Sequence, residues 1–299
     1  MNHYGHRVRG DMHDSGGNQF GPNPTIHHTT VQENAPKPAD AATEATGTVS
    51  VDAVVITAIA TEYRAVTDQL DGPLEERETK GTLYQVGSLI GVDPPLRVAV
   101  AQVGMGNASA GAHLERARTA FSPRAILFVG VAGGIKDLGL GDVVAASSIY
   151  DLESGKETPE GYRPRAHTKA PSYSAVQRAM NVAARPEWTS RSMVASPNGP
   201  PRAVVAPIAA GGKVVADSGG VTAQRLRHYC GDAVAVEMEG YGFLHGAYME
   251  EGTHALVVRG ISDLLDDKTG GSDERWQPIA AAHAAAFAAE FLARFLGTR

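Results

Sequence analysis

Two apolar runs in this chain end abruptly in charge. One is Val257-Val258-Arg259-Gly260-Ile261-Ser262-Asp263 and the other is Ala235-Val236-Glu237-Met238-Glu239-Gly240. A near-continuous hydrophobic run is how a strand buried on both faces of a parallel sheet reads, and burying both faces needs helices on both sides. Ligands of open α/β sheets sit beyond the carboxyl ends of the strands. The two runs therefore predict that Glu239 and Asp263 reach one rim, as two carboxylates with different jobs.

The chain after residue 50 fits that frame. Strand-like runs at 53–58, 97–103, 125–129, 143–148, 204–209, 233–236 and 255–258 alternate with helix-like runs at 61–70, 108–120, 174–184, 221–229, 241–250 and 279–296. In the last of these Phe287, Phe291 and Phe295 recur at i, i+4, and Gly297 supplies a stop. Such alternation predicts an α/β fold with helices on both faces of a mostly parallel sheet. Residues 153–202, rich in Pro, Ser and Arg, read as loops around one helix and as a candidate pocket wall. Residues 1–50 are rich in Gly, Pro, Asn, His and Thr and lack aliphatic periodicity, so they read as a disordered tail before one catalytic domain, 51–299.

Composition removes several function classes. A net charge of −6 argues against a nucleic-acid groove, which wants a basic face. A lone cysteine, Cys230, excludes an intramolecular disulfide framework and a Cys-rich zinc site, and reads as a small buried apolar group. No unbroken apolar stretch approaches the ~20 residues of a membrane helix, and no apolar signal core opens the chain, so a soluble cytoplasmic protein is expected. The histidines fall largely in the tail (His3, His6, His13, His27, His28), and HExxH, GxSxG and Walker patterns are absent. No metal and no cofactor are expected.

Each remaining motif carries two readings. Thr61 and Glu62 follow the first strand: Thr61 caps a helix whose positive end Glu62 favours, or Glu62 sits at a pocket mouth as a base for water. Val103-Gly104-Met105-Gly106-Asn107 and Val129-Gly130-Val131-Ala132-Gly133-Gly134 are either ordinary glycine turns or places where backbone approaches a ligand, with Gly104 and Gly133 as candidate contacts. Gly139-Leu140-Gly141-Asp142 reads as plain turn chemistry into a strand. Glu237-Met238-Glu239 starts a helix; one carboxylate serves the helix end while the other faces the pocket, and Met238 is either core or an apolar floor. Asp263 is an N-cap or an acid, with Ser262 holding its rotamer.

Together these residues resemble the nucleoside phosphorylase superfamily, and most closely its methylthioadenosine/S-adenosylhomocysteine nucleosidases. The resemblance runs from Val51 to Leu296 and rests on 58–62, 104–106, 130–134 with Gly141-Asp142-Val143-Val144, 235–240 and 257–263. It implies a three-layer αβα sandwich around a mixed, mostly parallel central sheet, a homodimer, and hydrolysis of the N-glycosidic bond of a purine nucleoside or nucleotide. It implies that Asp263 protonates the base at N7, that Glu239 holds the ribose hydroxyls beside Met238, that Arg259 belongs to the binding set, and that Glu62 activates water. Related phosphorylases carry an arginine where this chain has Phe128, and 58–62 replaces their glycine-rich phosphate loop. A phosphate facing Phe128 and Glu62 would be poorly paired, which favours water over phosphate. A phosphorylase remains the alternative within enzymes, and a nucleoside-binding signalling module the alternative outside them.

Two departures bear on substrate and setting. Where the family stacks an aromatic on adenine, this chain has Gly211-Gly212-Lys213-Val214-Val215, so Val214 and Val215 line the base without stacking. Lys213 is either solvated surface or a contact for phosphate. Val131 replaces a serine of the relatives. In the tail, Gly16-Gly17-Asn18-Gln19-Phe20-Gly21-Pro22-Asn23-Pro24 resembles short Gly/Asn-rich signalling motifs of bacterial immune-type effectors. That implies a signalling partner or cross-β self-assembly, against which Pro22 and Pro24 stand.

Overall fold

A computed structural model describes residues 50–165, 167–213, 219–249, 252–265 and 272–297. The tail reading of 1–50, Ser50 apart, and the roles given to Val214 and Val215 lie outside the described residues.

The centre of the sheet is β1 (Ala53–Thr57), buried at every position. It pairs in parallel with β4 (Arg97–Gln102) on one side and β5 (Ala125–Gly134) on the other. Beyond β5 lie β12 (His254–Leu264), parallel to it, and β6 (Val143–Asp151), antiparallel to β12. β10 (Ala203–Ala210) and β11 (Ala235–Glu237) follow, each parallel to its neighbour. A hairpin of β2 (Leu70–Thr79) and β3 (Thr82–Leu89) adds the antiparallel far edge, making the sheet mixed. β11 also pairs antiparallel with the end of β5, Ala235 opposite Gly134 and Val236 opposite Gly133. The sheet therefore curls into a ring through β5, β12, β6, β10 and β11, which brings the carboxyl ends of β5, β11 and β12 together.

Strand alternation separates the layers. Ala53 and Val55 enter one core with Phe287 and Phe291 of α6 (Ser272–Leu296) and Ala179 of α3 (Tyr173–Ala183). Val54 and Ile56 enter the other with Leu114 of α2 (Asn107–Phe121) and Phe243 of α5 (Gly240–Tyr248). The αβα layering follows from this period-two pattern. α6 is long and apolar enough to cross a membrane, but 78% of that window is buried inside the protein. It lies against β12 at Gly260, where a Cβ would stand 2.0 Å from the Ala280 carbonyl oxygen, so only glycine allows the approach.

Several boundaries differ from the sequence reading. β5 continues through Gly134 and β12 through Leu264, so the glycine run and Asp263 belong to strands rather than to turns beyond them. Asp263 is thus no N-cap. α1 (Ala60–Thr67) starts before Thr61, with Ile59 as its N-cap. Residues 153–202 hold a small hairpin, β7 (Gly155–Thr158) with β8 (Gly161–Pro164), then β9 (His167–Lys169), α3 and a 3₁₀ turn at Pro186–Arg191. α4 (Val221–Tyr229) covers a third, small cluster that includes Cys230, whose thiol burial pushes up to about 11.

Candidate active site

Glu62 stands in the first turn of α1 and is 3% exposed. Its Oε2 accepts the Ala58 and Ile59 backbone N–H groups at 2.8 and 3.1 Å, and its Oε1 accepts the Val131 N–H of β5 at 2.9 Å. The residue thus caps its helix and faces inward at once; the two sequence readings are not exclusive. Burial pushes its pKa up, and this outweighs the Arg259 charge and the three amides, which act the other way.

Glu237 ends β11, and Glu239 occupies the N-cap of α5 rather than its first turn. Glu237 accepts the backbone N–H groups of Glu239 at 3.0 Å and Gly240 at 2.8–2.9 Å. Glu239 reaches across the sheet: Oε1 accepts the Gly106 N–H at 2.9 Å. Gly104 (φ 80°) and Gly106 (φ 107°) give the turn before α2 the left-handed backbone that presents this donor. Gly104 accordingly shapes the turn; it is not on the cavity wall.

Arg259 is completely buried in β12, and its Nη2 donates to both Glu237 and Glu239, the latter at 3.1 Å. Burial works against the cation, but Glu237, Glu239 and Glu62 outweigh it, so its pKa rises. The guanidinium stacks over Phe128, 4.7 Å from the ring centroid, and Phe128 in turn meets Phe243 edge-on at 5.5 Å. One expectation is corrected here. Arg259, expected in the binding set, stands behind the carboxylates and off the cavity wall, and Phe128 is sealed beneath it. Gly130 separates the Arg259 and Glu62 side chains: a Cβ there would fall 2.2 Å from Arg259 Nη1 and 2.4 Å from Glu62 Oε1.

A bulge places the last pair. The β5–β12 register runs Ile261 opposite Ala132 and then Asp263 opposite Gly133, so Ser262 is the extra residue. Bulges re-aim side chains, and this one turns the adjacent Ser262 and Asp263 to the same cavity. Ser262 Oγ donates to Asp263 Oδ2 at 3.0 Å. Gly133 leaves the room: its Cβ would lie 3.0 Å from Asp263 Oδ1.

Glu62, Gly133, Lys213, Met238, Glu239, Ser262 and Asp263 line one cavity of about 220 Å³. So do Met105, Glu237 and Gln277, which the sequence reading did not put forward as ligand contacts. Met105 had a signal, since it stands inside a glycine turn; Gln277 had none, because α6 was read as starting later. No described residue of 153–202 is on this cavity's wall, so the expected pocket-wall role is not seen among them. Among the described residues no group of three or more His, Cys, Asp or Glu is placed to hold a metal.

Fold and site together define an α/β sheet protein with an acid-lined cavity at the joined strand ends. The chain belongs to the phosphorylase superfamily, whose family profile matches residues 52–296. A futalosine hydrolase of Acidothermus cellulolyticus is 29% identical over 237 residues, spanning 78% of this chain and 86% of that protein. A 5′-methylthioadenosine/S-adenosylhomocysteine nucleosidase of Chromohalobacter salexigens is 27% identical over 233 residues, spanning 73% and 88%. The fold is also similar to the crystal structure of a nucleosidase of that name from Colwellia psychrerythraea in complex with adenine. There the TM-score is 0.64 at 20% identity, covering 81% of this chain and 95% of the other.

Proposed function

We propose that this protein hydrolyses the N-glycosidic bond of a purine nucleoside or nucleotide, with water as the nucleophile. The observation that carries the reading is that Glu62, Glu239 and Asp263, from three different strand ends, line one cavity. Glu62 takes a proton from water as its oxygen attacks the anomeric carbon. Asp263, held by Ser262, gives a proton to the departing base, so the glycosidic electron pair leaves on a neutral purine. Glu239 keeps one oxygen on Gly106 and the other on Arg259, a fixed acceptor for ribose hydroxyls. The hydrolytic names of the relatives support this assignment.

Water is favoured over phosphate by charge. The cavity wall carries Glu62, Glu237, Glu239 and Asp263, while the Arg259 guanidinium, behind the wall, is spent on Glu237 and Glu239. A phosphate dianion among those acids would be poorly compensated. The test is base release from adenosine, methylthioadenosine, S-adenosylhomocysteine, AMP and ATP, followed by chromatography with and without inorganic phosphate. Free ribose or ribose phosphate as co-product, independent of added phosphate, is expected; a sugar 1-phosphate formed in proportion to phosphate would replace hydrolysis by phosphorolysis. The proposal extends to a cytoplasmic homodimer acting as an immune-type effector through its N-terminal segment. A monomer in sedimentation, or isolated 1–50 peptide that neither binds fibre dyes nor captures a partner, would remove those parts.

A further inference from the structure

A second cavity, of about 540 Å³, opens beside α6, within the range of small-molecule sites. Its walls come from 189–201, the end of the 3₁₀ turn and the chain that leads to β10. Its floor is His283 of α6, the one buried side chain among its described lining residues. It shares no described residue with the acid-lined cavity. The wall is apolar, with Met193 67% exposed and Val194 39%, beside Pro200 and Pro201; no described lining residue is an acid, a lysine or an arginine. His283 is 1% exposed and only half satisfied. Its Nδ1 lies 2.7 Å from the Gly141 carbonyl oxygen, which can only accept, so Nδ1 carries a proton and Nε2 of the neutral ring is a lone-pair acceptor. Gly141 is itself pinned, its N–H donating to the Ile261 carbonyl at 2.8 Å, and this holds the ring. Nε2 has no hydrogen-bond partner among the described residues. An unpaired buried acceptor costs about 1–3 kcal/mol, which a donor brought through the cavity recovers.

We propose that this cavity binds a small neutral molecule with an apolar body and one hydroxyl, an alcohol or a phenol, whose O–H donates to His283 Nε2. The site is separate from the acid-lined cavity and does not depend on the hydrolase reading. Met193 and Val194 take the apolar body, the thioether being suited to the edge of an aromatic ring. A water molecule would make the same hydrogen bond but would leave that apolar wall in solvent. A carboxylate or phosphate would find no counter-charge on the wall, and a hydrocarbon would leave Nε2 unpaired. The hydroxyl compound alone meets both demands.

The experiment follows the methionine methyl resonances of the full chain, carbon-13 labelled, at mildly alkaline pH. Met193 marks this cavity, whereas Met105 and Met238 mark the acid-lined one. Met193→Leu assigns the reporter. Three probes share one ring: p-cresol, p-xylene with methyl in place of the hydroxyl, and p-toluate with a carboxylate there. Expected is a saturable shift of Met193 with p-cresol, binding about 3- to 10-fold weaker for p-xylene, and no response to p-toluate. His283→Asn keeps an amide N–H for the Gly141 carbonyl and removes the Nε2 acceptor, so it should bring p-cresol down to the affinity of p-xylene. Ala195→Trp, a change at an exposed wall position that leaves the core alone, should abolish the p-cresol response by filling the cavity. Met193 unmoved by p-cresol up to its solubility limit would mean a cavity that holds water only, and would overturn the proposal. So would shifts confined to Met105 and Met238, equal binding of p-xylene, or p-cresol affinity unchanged in His283→Asn. Should His283→Asn fail to fold, undiminished p-cresol binding in Ala195→Trp would overturn it as well.

Discussion

Glu62 and Glu290 are both glutamates drawn out of water beside arginine, yet their acidities move in opposite directions. Burial raises both. At Glu290 it is outweighed by hydrogen bonds from Arg191 (2.7 Å) and Arg294 and by their charges, so the pKa falls. At Glu62 burial wins over Arg259 and three backbone amides. The difference is one of stoichiometry. Two guanidiniums serve Glu290, whereas Glu62, Glu237 and Glu239 share a single one. The Glu290 cluster ties α6 to the 3₁₀ turn and, through Arg191 Nη1, to the Ile90 carbonyl at 2.8 Å; it is built to stay ionised. The Arg259 cluster holds more acid than base, and in it burial holds Glu62 and Glu237 above the usual carboxylate range, which is the condition expected of groups that move protons.

The largest test of that contrast is catalytic. Asp263→Asn and Glu62→Gln should each lower base release by about 10²- to 10⁴-fold, the range of a general acid or base. Asp263→Asn should leave substrate affinity within a few-fold, because the amide keeps its place next to Ser262; calorimetry on the inactive variant measures this. Near-normal turnover in either variant would reassign the residue. Next comes stability. Arg259→Met strands Glu237 and Glu239 without a counter-charge and should cost about 3–5 kcal/mol in denaturant unfolding. Arg191→Met removes one of two cations from a cluster nearer to solvent and should cost about 1 kcal/mol or less. Equal losses would mean that the two clusters do the same job.

How much of this the sequence disclosed depends on whether the signal was local. β1, β4 and the apolar start of β12 announce themselves by short runs rich in Val, Ile and Ala, of strand length and bounded by polar residues. The β2–β3 hairpin did not. Its first strand, LDGPLEERET, is polar and largely exposed, held by pairing to one neighbour and not by burial. The Glu62, Glu239 and Asp263 positions were legible because each stands at or just past the carboxyl end of an apolar run. Arg259 was misplaced because facing is a tertiary property. One residue of register decides whether a side chain points into the cavity or beneath it, and the bulge that turns both Ser262 and Asp263 to the cavity leaves no mark in the residue order. Antiparallel closure of β11 on β5 is equally silent, although it is what brings Glu239 to Asp263.

The smallest test separates the clusters by pH. The folded pKa of Glu62 lies above its ordinary 4.5, so the stability linked to its protonation is present below that value and is lost as pH rises through the folded one. For Glu290 the folded pKa lies below 4.5, so its contribution is present above that value and is lost as pH falls. Glu290→Gln should therefore cost about 1 kcal/mol near neutral pH, and the gap from the parent protein should close on acidification. Base catalysis by Glu62 needs the carboxylate, so kcat/KM should decline on its acid side at a pH above 4.5. On lowering the pH, activity then disappears while the Glu290 cluster is still ionised and the fold intact. Far-ultraviolet circular dichroism and initial rates on one pH series decide it, because simultaneous loss of both signals would assign the acid limb to unfolding rather than to Glu62.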